Sequence, residues 1–116
     1  MGLGGRGVEL MDATQVRNGT MKQLTNEQVE VLLERLGERI SMRRCYLKLA
    51  CLAVLKYDAE GRYLTAGQIA SLGEKYLPKS TGLSPQQGGT LLGTMARMKV
   101  VNRSYNRPHT YWWRDD

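Results

Sequence analysis

Residues 84–114 read SPQQGGTLLGTMARMKVVNRSYNRPHTYWWR, and the prediction of the fold depends mainly on this stretch. Ser84 is followed by Pro85 and, three positions after the serine, by Gln87. This is the pattern of a capping box, in which the serine and glutamine side chains satisfy backbone N–H groups at a helix start. Leucine and methionine then recur at helical spacing. The pattern predicts a short amphipathic helix over residues 84–98.

Two runs rich in Val, Tyr, Trp and Thr follow this helix, at residues 100–105 and 109–114. An Asn-Arg-Pro turn separates them, so together they predict a β-hairpin. Because side chains alternate between the two faces of a strand, Tyr111 and Trp113 are expected on one face and Trp112 on the other.

An earlier helix is predicted within residues 21–42, where Thr25 and Gln28 form another capping box. Its apolar side chains form one stripe, which either packs on the core of the same chain or forms the seam of a homodimer. The stripe consists of Val29, Leu32, Leu33, Leu36 and Ile40.

The most apolar segment is residues 41–57, which predicts a helix that is buried nearly all round. A short β-type run at residues 62–64 leads into a third capping box, formed by Thr65 and Gln68. The expected order is therefore helix, helix, short strand, helix, helix, hairpin.

The length of 116 residues suits one small domain with one core. Residues 1–20 are rich in glycine and polar groups and are expected to be a disordered tail. Residues 21–42 form the amphipathic N-terminal helix, and residues 43–116 form the main domain. The fold class is mainly α with a small β-hairpin, that is, α+β.

The formal net charge of +6 favours acidic partners such as nucleic acid. The excess is concentrated in the C-terminal half, since residues 62–114 contain eight Lys or Arg residues and one acid, Glu74. Residues 21–61 contain seven bases and six acids. The positive charge therefore accompanies the predicted helix and hairpin.

Several functional classes are not expected. The single His and the lack of a Cys/His/carboxylate cluster argue against a metal site, an enzyme or a cofactor. Cys45 and Cys51 lie six apart in an apolar helix and point to different faces, so they are read as core thiols in a reducing compartment. With no long apolar segment for a membrane span or a signal peptide, a cytoplasmic location without membrane contact is expected.

The order of elements over roughly two-thirds of the chain resembles the winged-helix superfamily, a helix-turn-helix variant with a hairpin wing. The likeness rests on the strand-like run before Thr65, on the Ser84 helix, and on the segment MARMKVVNRSYNRPHTYWW. In that segment Arg103 follows an apolar Val pair, and Arg107 stands at the hairpin tip. The connection over residues 78–83 is longer than the tight turn of the simplest helix-turn-helix.

The resemblance implies a double-stranded DNA-binding protein, a transcriptional regulator whose helix 84–98 reads the major groove while the wing 100–114 contacts flanking DNA. Gln86, Gln87 and Thr90 are expected at base edges, and Thr94 and Arg97 nearer the backbone. Ser80, Thr81 and Ser84 are expected to seat a phosphate at the helix start, and Arg107 to reach a minor groove or flanking phosphates. Arg103 and His109 would contact the DNA backbone or brace the wing, and the alternative for Arg103 is a structural ion pair.

The alternative is a winged helix used for protein contact in a transcription or replication assembly, with Trp112 and Tyr105 as candidate hot spots. Charge separates the two functions. A DNA-binding protein places four cations on one face with the Gln86 helix, whereas a protein-binding module exposes an apolar patch there. These cations are Lys79, Arg97, Arg103 and Arg107.

Overall fold

The computed structural model describes residues 21–37, 45–78 and 81–115. Over these residues it shows an α+β fold, with four α-helices and a three-stranded antiparallel sheet. The elements in chain order are α1 (Asn26–Leu36), α2 (Cys45–Ala53) with a π-helical extension (Val54–Asp58), β1 (Leu64–Thr65), α3 (Ala66–Gly73) with a 3-10 turn (Glu74–Tyr76), α4 (Pro85–Arg97), β2 (Val101–Arg103) and β3 (Thr110–Trp113).

The three capping boxes predicted from the sequence are confirmed. Thr25, Thr65 and Ser84 stand immediately before α1, α3 and α4, and each accepts a hydrogen bond from the backbone N–H three residues later. In each box the glutamine at that position accepts the cap residue's N–H in return. Because these bonds satisfy donors that have no partner within the helix, they define where the helices begin.

Helix α2 forms the centre of the core, as its composition predicts. All nine of its residues are buried, including both cysteines, which are free thiols. Burial raises the pKa of the Cys51 thiol to about 12, so this side chain is an unreactive core residue at neutral pH.

The end of α2 widens into a π-helical turn that the sequence pattern did not predict. This turn brings Asp58 to the 3-10 turn after α3, where its carboxylate accepts the Tyr76 hydroxyl at 2.6 Å and pairs with Lys75 at 2.8 Å. Burial, followed by the bond to Asp58, raises the pKa of Tyr76. These contacts tie the end of α2 to the end of α3.

In the sheet, β3 lies between β1 and β2. The predicted hairpin is formed by β2 and β3, with Arg103 opposite Tyr111. Leu64 of β1 is also opposite Tyr111, so the two edge strands meet the same central residue from either side. Tyr111 and Leu64 are buried toward the helices. Trp112 takes the outer face, as alternation predicts.

Helices α3 and α4 pack closely, and Gly88 is at their contact. A Cβ atom on Gly88 would lie 3.4 Å from the Ala66 carbonyl oxygen and 3.6 Å from the Ala70 Cβ. The glycine is therefore explained by helix packing. This contact fixes the position of α4, whose opposite face is turned outward.

Helix α1 uses its apolar stripe inside the chain. Val29, Leu32, Leu33 and Leu36 are all buried in the core, which supports the packing alternative over a homodimer seam for these side chains. The predicted tail over residues 1–20 lies outside the described residues, as do Ile40, Lys79 and Ser80. Within the described ranges, no helix is both long and apolar enough to cross a membrane.

Candidate nucleic-acid interface

The outward face of α4 is polar near its start. Gln86 and Thr90 are exposed, and the Gln86 side chain makes no hydrogen bond to the described residues. Gln87 is only partly exposed, and its side-chain oxygen accepts the Ser84 N–H at 3.0 Å. The two neighbouring glutamines therefore differ. Gln87 serves the helix cap, and Gln86 is the one available to a partner.

The residues just before α4 are engaged in local bonds. The Ser84 hydroxyl accepts the Gln87 N–H at 3.0 Å, and the Thr81 N–H donates to the Pro78 carbonyl at 3.1 Å. Both side chains are partly buried. The Ser84 side chain and the Thr81 backbone thus stabilise the segment before α4, and any phosphate contact there would add to this structural role.

A short chain of hydrogen bonds runs along the second half of α4. The Arg97 guanidinium donates to the Thr94 hydroxyl at 3.3 Å, and that hydroxyl donates to the Thr90 carbonyl at 3.2 Å. Thr94 is thereby used as a support for Arg97. The exposed guanidinium is directed along the helix surface by this contact.

A depression of about 440 Å³ lies between the end of α4 and strand β2, and we call it the basic basin. Four Lys or Arg residues and one His line it, and none of the lining residues is acidic. Its walls thus come from the two elements that the sequence predicted to act together. The lining residues are Ala96, Arg97, Lys99, Val101, Asn102, Arg103, Ser104, Tyr105, His109 and Arg114.

The basin contains two cations that the sequence analysis missed, Lys99 and Arg114. The Arg114 guanidinium donates to the Lys99 carbonyl at 2.8 Å, although the two are 15 residues apart. Lys99 has a positive φ of 64°, which turns the chain from α4 into β2. Because these contacts depend on the turn and on the end of β3, spacing along the sequence does not reveal them.

No acidic side chain lines the basin, so its positive side chains are not neutralised by other lining residues. Arg103 is exposed and makes no hydrogen bond or ion pair with the described residues. Positive side chains on one concave surface concentrate the electrostatic potential there. Phosphate groups are the ligands that such a surface favours, because guanidinium donors match their oxygens.

The hairpin tip is organised around Ser104. Its hydroxyl accepts the Thr110 N–H at 2.9 Å and donates to the Asn106 carbonyl at 3.3 Å. A ring nitrogen of His109 lies 3.1 Å from the Ser104 carbonyl, which braces the tip as the sequence analysis allowed. Arg107 is exposed at the tip but does not line the basin.

Exposed apolar groups are sparse on α4. Among the described residues the large apolar side chains with substantial exposure are Val31, Tyr63, Leu72, Met98 and Tyr105, and none of them lies within α4. Met98 follows its last turn. Helix α4 itself therefore carries no large exposed apolar side chain, whereas Tyr105 is exposed and lines the basic basin beside it.

The structure describes no group of three or more His, Cys, Asp or Glu side chains with the spacing of a metal site among the residues it covers. Comparison of the chain with known proteins finds no matching family model, no matching curated protein and no matching solved structure.

Proposed function

We propose that this protein binds double-stranded DNA as a winged-helix transcriptional regulator. In this arrangement α3 and α4 form the helix-turn-helix pair, and the β2–β3 hairpin is the wing. The observation that carries the proposal is the basic basin, because it joins the end of α4 to the first wing strand and its lining contains four Lys or Arg residues and no acidic residue. Phosphate contacts of this kind provide most of the affinity of DNA-binding proteins.

Within this proposal α4 lies in the major groove with Gln86 and Thr90 toward base edges. Glutamine can bond adenine through both the oxygen and the nitrogen of its side-chain amide, and the Gln86 side chain has no competing bond within the described chain. Gln87 stays bonded in the helix cap and so stabilises the helix start that carries Gln86. Sequence preference is thus assigned mainly to one glutamine.

The phosphates that flank the groove lie over the basin, and Arg107 extends the contact at the wing tip. Arg97 and Arg103 reach the same depression from the helix and the strand. Each neutralised phosphate contributes about −0.9 to the slope of log K against log salt concentration. Four basin cations therefore predict a slope of roughly −3.6, to which Arg107 adds about one further unit.

The test is the salt dependence of binding to a labelled duplex, measured by fluorescence anisotropy. Arg103→Ala is expected to weaken binding and to reduce the magnitude of the slope by about 0.9, as is Arg107→Ala. Lys22→Ala is the matched control, because Lys22 is exposed and its hydrogen bond to Tyr76 comes from the backbone. An unchanged slope in Arg103→Ala, or an equal change in Lys22→Ala, would refute a duplex on the basin.

A further inference from the structure

A second depression, of about 490 Å³, lies where the outer face of the sheet meets the π-helical turn. It shares no lining residue with the basic basin. Three aromatic rings line it, those of Tyr63, Trp112 and Trp113, and we call these the aromatic cluster. The two tryptophans are the only ones in the chain.

The register of the sheet brings two of these rings together. Leu64 is opposite Tyr111, so Tyr63 is placed beside Trp112 on the outer face. Their ring centroids are 4.5 Å apart and their planes are inclined by 29°, which is a stacked arrangement. Tyr63 is 62% exposed, so its ring is not part of the core. The stack offers an open aromatic surface to solvent.

Cations surround the third ring. The Arg35 guanidinium and the Lys56 ammonium lie 4.5 and 4.7 Å from the centroid of Trp113. Arg62 lines the same depression and is held by bonds to the backbone carbonyls of Asp58 and Ala59. A guanidinium has five N–H donors, of which these bonds use two.

We propose that the aromatic cluster binds an unpaired DNA strand. Bases stack on the Tyr63–Trp112 pair, and the phosphates lie near Lys56 and Arg62. A combination of open aromatic rings and cations is how proteins hold single strands, because every base has a stacking face. A duplex does not fit this site, since its base faces are already covered by neighbouring base pairs.

A protein partner fits the cluster less well. The cores of protein interfaces are depleted in charged residues, whereas here two cations lie within 5 Å of the Trp113 centroid and a third lines the depression. The Asp115 carboxylate also lines the depression, beside Lys56 and Arg62. Because the base contacts are assigned to ring stacking, which every base can make, binding is expected to be tolerant of sequence. The choice of DNA over RNA rests on the proposed function, while the stacking itself does not.

The probe is a dT oligomer of about 12 nucleotides, added to the full chain while tryptophan fluorescence is recorded. Because both tryptophans line the depression, a base that stacks there should quench the emission directly. Tyr63→Ala is expected to weaken the affinity roughly 5- to 100-fold, whereas Tyr63→Phe keeps the ring and the affinity. Val31→Ala is the control, since Val31 is 41% exposed and lines neither depression.

Thermal melting followed by circular dichroism checks that Tyr63→Ala remains folded. Absence of quenching by the dT oligomer, or an unchanged affinity in folded Tyr63→Ala, would overturn the proposal and leave a protein contact as the role of the cluster. An affinity for a U oligomer equal to or tighter than that for dT would overturn the assignment to DNA.

Arg103→Ala separates this proposal from the proposed function. It should weaken duplex binding and leave the dT affinity unchanged. Loss of dT binding in this variant would place the strand on the basin and refute the cluster, whereas failure of duplex binding alone would refute only the regulator function.

Discussion

The two neighbouring glutamines at the start of α4 allow a sharp test, because the structure gives them different roles. Gln87→Ala removes the oxygen that accepts the Ser84 N–H at 3.0 Å. A neutral hydrogen bond contributes about 0.5–1.5 kcal/mol, so the free energy of unfolding should fall by about 1 kcal/mol. For a domain of this size that corresponds to a decrease in Tm of roughly 4–8 °C.

Gln86→Ala should leave stability almost unchanged. Gln86 is exposed and unbonded to the described residues, and alanine is a slightly better helix former, so the change in free energy of unfolding should stay within about 0.5 kcal/mol. Its effect should appear in base preference instead. A bidentate glutamine–adenine contact contributes about 1–3 kcal/mol of discrimination against the wrong base.

Two measurements distinguish these outcomes. Thermal unfolding gives the stability of each variant, and selection from a random duplex library followed by anisotropy gives its sequence preference. If Gln87→Ala has the same Tm as the wild-type protein, the cap bond contributes nothing to stability. If Gln86→Ala keeps the full preference of the wild type, base reading through this residue is refuted.

Three further predictions concern stability and assembly. Tyr76→Phe should lower the free energy of unfolding by about 1–3 kcal/mol at neutral pH. Burial and the bond to Asp58 raise the pKa of Tyr76 above its ordinary value of 10.0, so its contribution to stability is complete below that pH and is lost as the pH rises through the folded-state pKa. The free energies of unfolding of the two proteins, measured by urea titration from neutral to alkaline pH, should therefore converge. Parallel curves would contradict this. The free energy of unfolding of Gly88→Ala should stay within about 1 kcal/mol of the wild-type value, since the better helix propensity of alanine offsets the tight contact. Gly88→Leu should destabilise the protein by about 1–3 kcal/mol. Equal melting temperatures of the two variants would show that α3 and α4 are not closely packed there. With the α1 stripe buried inside the chain, light scattering at micromolar concentration should give the monomer mass of 13.1 kDa, and a dimer mass would require a different seam.

Local signals predicted the helix starts and the hairpin because their causes are local. A serine or threonine followed three residues later by glutamine marks a cap wherever the chain can begin a helix, and the structure confirms the boxes at Thr25, Thr65 and Ser84. The alternation at Tyr111 and Trp112 likewise gave the correct faces.

Contacts that depend on distant parts of the chain could not be predicted in this way. The Tyr63–Trp112 stack requires β1 to pair with β3, which no spacing in the sequence indicates. The π-helical turn at Val54–Asp58 has the composition of an ordinary helix, so its effect on Asp58 was missed. The basin shows both cases, since Arg97 and Arg103 were expected but Arg114 reaches it only through the folded sheet.

The three helix starts share one further chemical property. In every box the reciprocating group is an amide, at Gln28, Gln68 and Gln87, where such motifs also accept a glutamate. An amide side chain is neither protonated nor deprotonated in water from acidic to alkaline pH. The capping hydrogen bonds made by these three glutamines therefore keep the same strength over that range. Acidification should accordingly leave the capping hydrogen bonds at the beginnings of α1, α3 and α4 intact.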